Sequence, residues 1–170
     1  PVRKIVTDVA RIKNTGFVDF VGIVDEHSPN GIPGSELFLD HVHPTIDGNQ
    51  LLALAIVQDM LQEGMLSQAD TWNEDIIAKI SSELKNSLDQ KTHAMALRNL
   101  SKVLMWGGKN DEAKRLVNLA ASMNPEDSEA HAQEGILLWR AGNKEEAIVR
   151  FQEAERLAPW NAIIHHKLGV

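Results

Sequence analysis

An aspartate and a histidine, Asp40 and His43, stand three residues apart in the first third of the chain. A carboxylate that accepts a hydrogen bond from one imidazole nitrogen fixes the ring tautomer. The other ring nitrogen is then free to take a proton from a hydroxyl nucleophile. Pro44 restricts the backbone directly after the pair, and an amphipathic helix is predicted to follow. This spacing predicts that Asp40 orients His43 as a general base.

Two other interpretations of this loop are open. In the first, Asp40, His41 and His43 form a surface turn whose polar side chains cap the following helix, for which Asp47 is the predicted N-cap residue. In the second, the loop binds a metal ion, because it holds residues of ligand type: Asp25, His27, Asp40, His41 and His43. No regular ligand spacing on a helix supports a native metal site, so we predict none, and we predict no cofactor.

The residues before this loop predict a helix and a strand. Apolar side chains at Ile5, Val6, Val9 and Ile12 recur at helical spacing. The run 17–24 is short, β-branched and aromatic, which predicts a buried strand. No second run of this quality occurs in the chain. The strand is therefore unpaired, paired between chains, or not a strand.

The run D-x-x-H-P-T-x-x-G-x-x-L-x-A-x-A-I over residues 40–56 resembles the last conserved block of the SGNH (GDSL-type) ester hydrolases. The resemblance implies that Asp40 and His43 are two members of a Ser-His-Asp triad. It also implies that residues 1–66 are the C-terminal remnant of an α/β hydrolase-like domain. The parent protein would then act on an ester, such as an acylated sugar, a lipid or a cell-envelope polymer.

The nucleophile of that family lies in a Gly-Asp-Ser block at the start of the domain, which this sequence does not contain. Ser28 and Ser35 match nothing in the family pattern. The resemblance therefore implies that the chain by itself is not catalytic. We expect a Gly-Asp-Ser sequence more than a hundred residues before Pro1 in the parent protein.

The second half of the chain repeats itself with a period of 34 residues. Segments 94–127 and 128–161 match at Gly108 and Gly142, Glu112 and Glu146, Ala113 and Ala147, Ala120 and Ala154, and Pro125 and Pro159. A truncated third copy begins at residue 162. Repetition at a short fixed period predicts a stacked-repeat architecture.

Small and aromatic residues in the second copy resemble the tetratricopeptide repeat (TPR) pattern: Gly135, Ala147, Phe151, Ala154 and Pro159. In the first copy, Ser101 replaces the small glycine and Val117 replaces the aromatic residue. The resemblance covers residues 94–170 and implies a short helical solenoid. Residues 67–93 are then a connecting or capping helix.

Stacking as in that family would place the inner faces of the first helix of each repeat along a groove. The side chains predicted to bind a peptide there are Arg98, Lys102, Met105, Trp106, Trp139 and Arg140. Tryptophans, a methionine and cations suit a peptide with acidic and apolar residues. The alternative is that Trp106 and Trp139 belong to the core between repeats.

Composition excludes several classes of function. The net charge of −7 argues against general nucleic-acid binding, which needs a basic surface. The absence of cysteine excludes disulfides and thiolate metal sites, and it leaves the compartment open. No run approaches the roughly 20 apolar residues that a membrane span needs.

The sequence thus predicts a mainly α protein with an N-terminal helix/strand/loop/helix remnant and a TPR-type solenoid. The predicted function is protein interaction at the C-terminus of an SGNH-type hydrolase, as a monomer or weak dimer. The alternative is a purely structural TPR adaptor with no hydrolase ancestry.

Overall fold

The computed structural model describes residues 2–69, 72–161 and 165. Within these residues the chain forms eight α-helices and one 3₁₀ turn and has no β-strand, which confirms the expected mainly helical fold. The chain divides into two compact units, Pro1–Asn86 and Ser87–Val170. This single division falls inside the segment 67–93, which the sequence predicts to be a connection.

The first unit holds the predicted catalytic pair. Its helices are α1 (Val2–Lys13), α2 (Phe20–His27), α3 (Ile46–Gln62) and α4 (Glu74–Ser87), the last of which ends one residue beyond the boundary. A 3₁₀ turn at Pro29–Gly31 and a long loop separate α2 from α3. An ion pair between Lys85 and Asp47 joins α4 to the first turn of α3.

The strand predicted over residues 17–24 is wrong, because most of this run lies in helix α2. An isolated strand would leave its backbone N–H and C=O groups unpaired, and the described residues offer it no partner strand. A helix satisfies these groups internally. The Asp19 carboxylate caps the helix by accepting a hydrogen bond from the amide of Gly22, and it also pairs with Arg3.

The cap of α3 also differs from the sequence prediction. Thr45, and not Asp47, is the N-cap, and its hydroxyl accepts a hydrogen bond from the amide of Gly48 at 3.0 Å. Asp47 lies inside the first turn, where a negative charge is favourable next to the positive end of the helix dipole. The N-cap of α3 therefore lies two residues earlier in the chain than the sequence predicts.

The described residues of the second unit form two helix pairs. Its helices are α5 (Gln90–Trp106), α6 (Asn110–Met123), α7 (Ser128–Arg140) and α8 (Lys144–Leu157). Helix α5 packs against α6 and α7 packs against α8, while α7 also contacts α5 and α6. The α-helices α6 and α8 begin and end 34 residues apart, as do the sequence repeats.

The backbone conformation repeats with the same period. Gly108 after α5 and Gly142 after α7 both have positive φ angles, 77° and 88°, which glycine adopts without strain at a helix end. The residues that follow α6 and α8, Asn124 and Ala158, have φ angles of −136° and −140°. Each pair of helices therefore ends and turns in the same way.

The core of the second helix pair depends on a missing side chain. A Cβ atom on Gly135 would lie 2.7 Å from the ring of Phe151, which is 2% exposed. In the first pair, the equivalent positions hold Ser101 and Val117, both fully buried. The second pair thus combines the large Phe151 with glycine, whereas the first pair combines the smaller Val117 with the larger Ser101. The two pairs therefore distribute their buried side-chain volume differently between the two helices.

A contact between a histidine ring and a proline carbonyl marks the junction after each repeat. The Nε2 atom of His131 lies 2.9 Å from the carbonyl oxygen of Pro125. The Nε2 atom of His165 lies 2.7 Å from the carbonyl oxygen of Pro159, one period later. His165 is the part of the predicted third copy that the structure describes, and the other residues of that copy lie outside the described residues.

Candidate functional site

The loop before α3 closes on itself. An isolated antiparallel bridge joins Phe38 to Pro44. The amide of Leu39 donates to the carbonyl oxygen of His43 at 2.7 Å, and the amide of Thr45 donates to that of Leu37 at 2.9 Å. The two limbs of the loop are therefore fixed against each other, and residues 40–43 form the tight turn at its tip.

Asp40 is buried at the base of that turn. Its side chain is 3% exposed, and Oδ1 accepts hydrogen bonds from the amides of Val42 and His43, both at 2.8 Å. Asp40 thus orders its own turn and does not cap α3, which contradicts the capping part of the surface-turn interpretation.

Asp40 also contacts the ring of His43. Its Oδ2 atom lies 2.7 Å from His43 Nδ1, while the His43 side chain is 56% exposed. The carboxylate lies against the Nδ1 edge of the ring, and Nε2 lies on the opposite edge. An Asp that accepts from Nδ1–H holds the tautomer in which Nε2 can take a proton.

The environment of Asp40 favours its charged form. Burial disfavours the carboxylate, but the amide of Val42 and the ring and amide of His43 donate to it and outweigh burial. The pKa of Asp40 is therefore held below its usual value. At neutral pH Asp40 is therefore a carboxylate, and its Oδ2 faces Nδ1 of His43.

Thr45 and Gly48 support the loop; both belong to the run over residues 40–56, but the sequence alone gives them no role. The Thr45 hydroxyl donates to the carbonyl oxygen of Glu36 at 3.0 Å. A Cβ atom on Gly48 would lie 2.3 Å from the carbonyl oxygen of Leu37, so only glycine fits there. A glycine within the first turn of a predicted helix was the available signal for this close approach.

The other ligand-type residues of the loop do not assemble with this pair. His27 Nδ1 lies 2.7 Å from the carbonyl oxygen of Ile23 in its own helix. Across residues 2–69, 72–161 and 165, no three histidine, aspartate or glutamate side chains converge as a metal site would require.

Two of the predicted peptide-binding cations are engaged within the second unit. Arg98 Nη1 donates to both carboxylate oxygens of Asp127 at 2.6 and 2.7 Å, and the two side chains are only 13% and 10% exposed. Lys102 pairs with Glu129 at 3.0 Å, and Glu129 also lies 3.3 Å from Arg98. These contacts join α5 to the start of α7.

The apolar members of that set divide between core and surface. Met105 is buried, whereas Trp106 is 76% exposed. Trp139, which stands one period after Met105, is 47% exposed. The same repeat position is therefore covered in the first helix pair and accessible in the second.

Trp139 lies beside a small cavity of about 130 Å³. The cavity is lined by Ile136, Trp139, Arg140 and Phe151. Arg140 is exposed, and Lys144 Nζ lies 5.5 Å from the centre of the Trp139 ring, within cation–π range. This surface combines an aromatic ring, an apolar opening and two cations.

None of the helices in the described ranges is long and apolar enough to cross a membrane. No protein-family model matches the chain, and no curated protein sequence matches it. The features that bear on function are therefore the side-chain geometry of the Asp40–His43 loop and that of the surface around Trp139.

Proposed function

We propose that the chain joins the acid–base half of an SGNH-type ester hydrolase site, in residues 1–66, to a TPR-type repeat that binds a partner protein, in residues 94–170. The observation that carries the first part is the Asp40–His43 pair. The carboxylate is buried and held by two amides, and the imidazole beyond it is half exposed. The period of 34 residues in both sequence and helix ends supports the second part.

In this proposal the pair acts on a serine supplied by another part of the parent protein. His43 Nε2 takes the proton of the serine hydroxyl as its oxygen attacks the ester carbonyl, and it returns the proton to the departing alcohol. Water repeats the two steps and releases the acid. Asp40 stays ionised and stabilises the imidazolium that forms between them.

Hydrolysis of p-nitrophenyl acetate by this chain tests whether His43 Nε2 is accessible and reactive, as the acid–base part requires, because an imidazole nitrogen attacks this activated ester directly, without a serine, and water then hydrolyses the acyl-imidazole. Among single substitutions of the histidines in the chain, we expect His43→Ala to cause the largest loss of p-nitrophenolate release. His41→Ala is the matched control, since His41 is exposed in the same turn. Equal losses in the two variants would contradict the assigned role of His43.

The observation that carries the protein-interaction part is the Trp139 surface. Trp139 and its cavity accept an apolar side chain, and Arg140 and Lys144 lie beside them. The partner that fits is a peptide segment with an apolar residue flanked by acidic residues. Arg98 and Lys102 do not contribute free charge to this surface, because Asp127 and Glu129 neutralise them.

Fluorescence anisotropy with two labelled peptides tests this surface. One peptide alternates glutamate and leucine, and the other alternates lysine and leucine. We expect the acidic peptide to bind more tightly, and Trp139→Ala to weaken it about tenfold, as loss of an aromatic contact does. Trp160→Ala is the matched control, because Trp160 is 95% exposed in a turn. Equal affinity for both peptides would contradict the proposed partner chemistry.

A further inference from the structure

The amide and hydroxyl of Thr45 take part in three hydrogen bonds that reach the loop and α3. Its amide donates to the carbonyl oxygen of Leu37 at 2.9 Å. Its hydroxyl donates to the carbonyl oxygen of Glu36 at 3.0 Å and accepts from the amide of Gly48 at 3.0 Å. One residue thus contacts the incoming limb of the loop and the first turn of α3.

These contacts determine the position of the turn at residues 40–43 relative to α3. Asp40 and His43 lie in the segment between Leu37 and Thr45, and the hydrogen bond from the Thr45 amide to the Leu37 carbonyl oxygen joins the two ends of this segment. The backbone of Gly48 lies so close to the Leu37 carbonyl that no Cβ fits between them. The loop therefore has little room to slide along the helix without breaking the bonds of Thr45.

We propose that Thr45 is a positioning residue for the Asp40–His43 pair: its hydroxyl fixes the loop to α3 so that Nδ1 of His43 meets Oδ2 of Asp40. This role rests on the proposed acid–base function of the pair. The competing explanation is that the two amide bonds within the turn, from Val42 and His43 to Asp40, hold the pair without help. In that case Thr45 serves only as a helix cap.

Two substitutions separate these explanations. Thr45→Ser keeps the hydroxyl. Thr45→Asp keeps an acceptor for the amide of Gly48, since aspartate is a good N-cap, but it has no proton to donate to Glu36 when ionised. The readout is the ¹⁵N spectrum of the His43 ring, which distinguishes the Nδ1–H tautomer from the Nε2–H tautomer without any activity measurement.

We expect the Nδ1–H tautomer of neutral His43 to predominate in the unmodified chain and in Thr45→Ser. In Thr45→Asp it should fall to the minority, while circular dichroism reports an unchanged helix content. Thr7→Val is the control for loss of a hydroxyl in the same unit, since the Thr7 hydroxyl donates to the carbonyl oxygen of Arg3 within α1. This control should leave the tautomer unchanged.

Retention of the Nδ1–H tautomer in Thr45→Asp would overturn the proposal and leave Thr45 as a helix cap. The outcome is independent of the ester assay. If Thr45→Asp changes the tautomer but His43→Ala does not lower ester cleavage, the positioning role stands and the acid–base function fails.

Discussion

Asp40 and His43 are joined by two hydrogen bonds, one from the His43 amide to Oδ1 and one between ring atom Nδ1 and Oδ2. The same carboxylate therefore fixes the backbone of the turn and the orientation of the imidazole. Both contacts favour the ionised form of Asp40, whose pKa is held below its usual value although burial opposes the charge. The turn is thus ordered by a group that titrates at acid pH.

The first prediction concerns the pH dependence of this turn. A folded-state pKa below the usual value of about 3.9 means that the ionised form stabilises the fold. That contribution is complete above the unfolded pKa, and it is lost as the pH falls through this value toward the lower folded one. Hydrogen exchange should show constant protection of the Val42 and His43 amides from pH 7 to about 5, and a loss below about 4.

The amide of Gly48 is the control for that experiment, because its acceptor is the neutral hydroxyl of Thr45. In Asp40→Asn the loss of protection at acid pH should disappear. If the Val42 and His43 amides follow the pH profile of Gly48 in the unmodified chain, the carboxylate does not hold the turn.

The second prediction concerns the close approach at Gly48. Gly48→Ala places a Cβ atom against the Leu37 carbonyl, where the gap is 2.3 Å, so the loop or the helix must move. We expect the free energy of opening of α3, measured by hydrogen exchange, to fall by about 2 kcal/mol. Gly107→Ala is the control, since its Cβ would meet the nearest atom, the Leu104 oxygen, at 3.4 Å. A similar effect of both substitutions would contradict the close approach.

The third prediction exchanges core residues between the two helix pairs. Gly135→Ser forces the Phe151 ring to move and should cost about 2 kcal/mol of unfolding free energy, while Phe151→Val should cost about 3 kcal/mol by leaving a cavity. The double variant recreates the Ser101 and Val117 combination of the first pair. It should be more stable than the sum of the single changes predicts, by at least about 1 kcal/mol.

Denaturant unfolding of the four proteins measures this coupling. The buried serine hydroxyl has a precedent in the chain, because Ser101 Oγ donates to the carbonyl oxygen of Ala113 at 2.6 Å. Strict additivity of the two single changes would show that Gly135 and Phe151 do not share one packing volume.

The fourth prediction concerns Arg98, which the sequence places among peptide-binding residues. Its bidentate bond to Asp127 is nearly buried, so Arg98→Met should lower the unfolding free energy of the second unit by about 2 kcal/mol. Lys102→Met removes a more exposed pair and should cost less than about 1 kcal/mol. If Arg98→Met unfolds at the same denaturant concentration as Lys102→Met, the Arg98 bridge is not a structural contact.

Two local features of this protein were predictable from its sequence, whereas the N-cap of α3 was not, since Thr45 and not Asp47 caps the helix. The 34-residue period predicts the repeated helix ends, because Gly108 and Gly142 occupy the positions after α5 and α7 where a positive φ is required. The three-residue spacing of Asp40 and His43 predicts their contact, because Pro44 and the helix that follows restrict the intervening turn.

Features that depend on distant residues were not predictable in this way. The run 17–24 has the composition of a strand, but without a partner strand its backbone is satisfied in a helix capped by Asp19. Arg98 forms its ion pair with Asp127, which lies 29 residues further along the chain. The sequence alone therefore does not show that the charge of Arg98 is neutralised. The clash that requires glycine at position 48 likewise comes from a carbonyl outside the helix.

The central claim is that Asp40 holds His43 in the tautomer whose Nε2 can accept a proton. The most direct measurement is the two-bond ¹H–¹⁵N spectrum of the His43 ring in the unmodified chain, compared with Asp40→Asn. The account predicts a proton on Nδ1 in the unmodified chain and a shift toward the Nε2–H form in Asp40→Asn. A predominant Nε2–H form in the unmodified chain, or identical spectra in the two proteins, would contradict it.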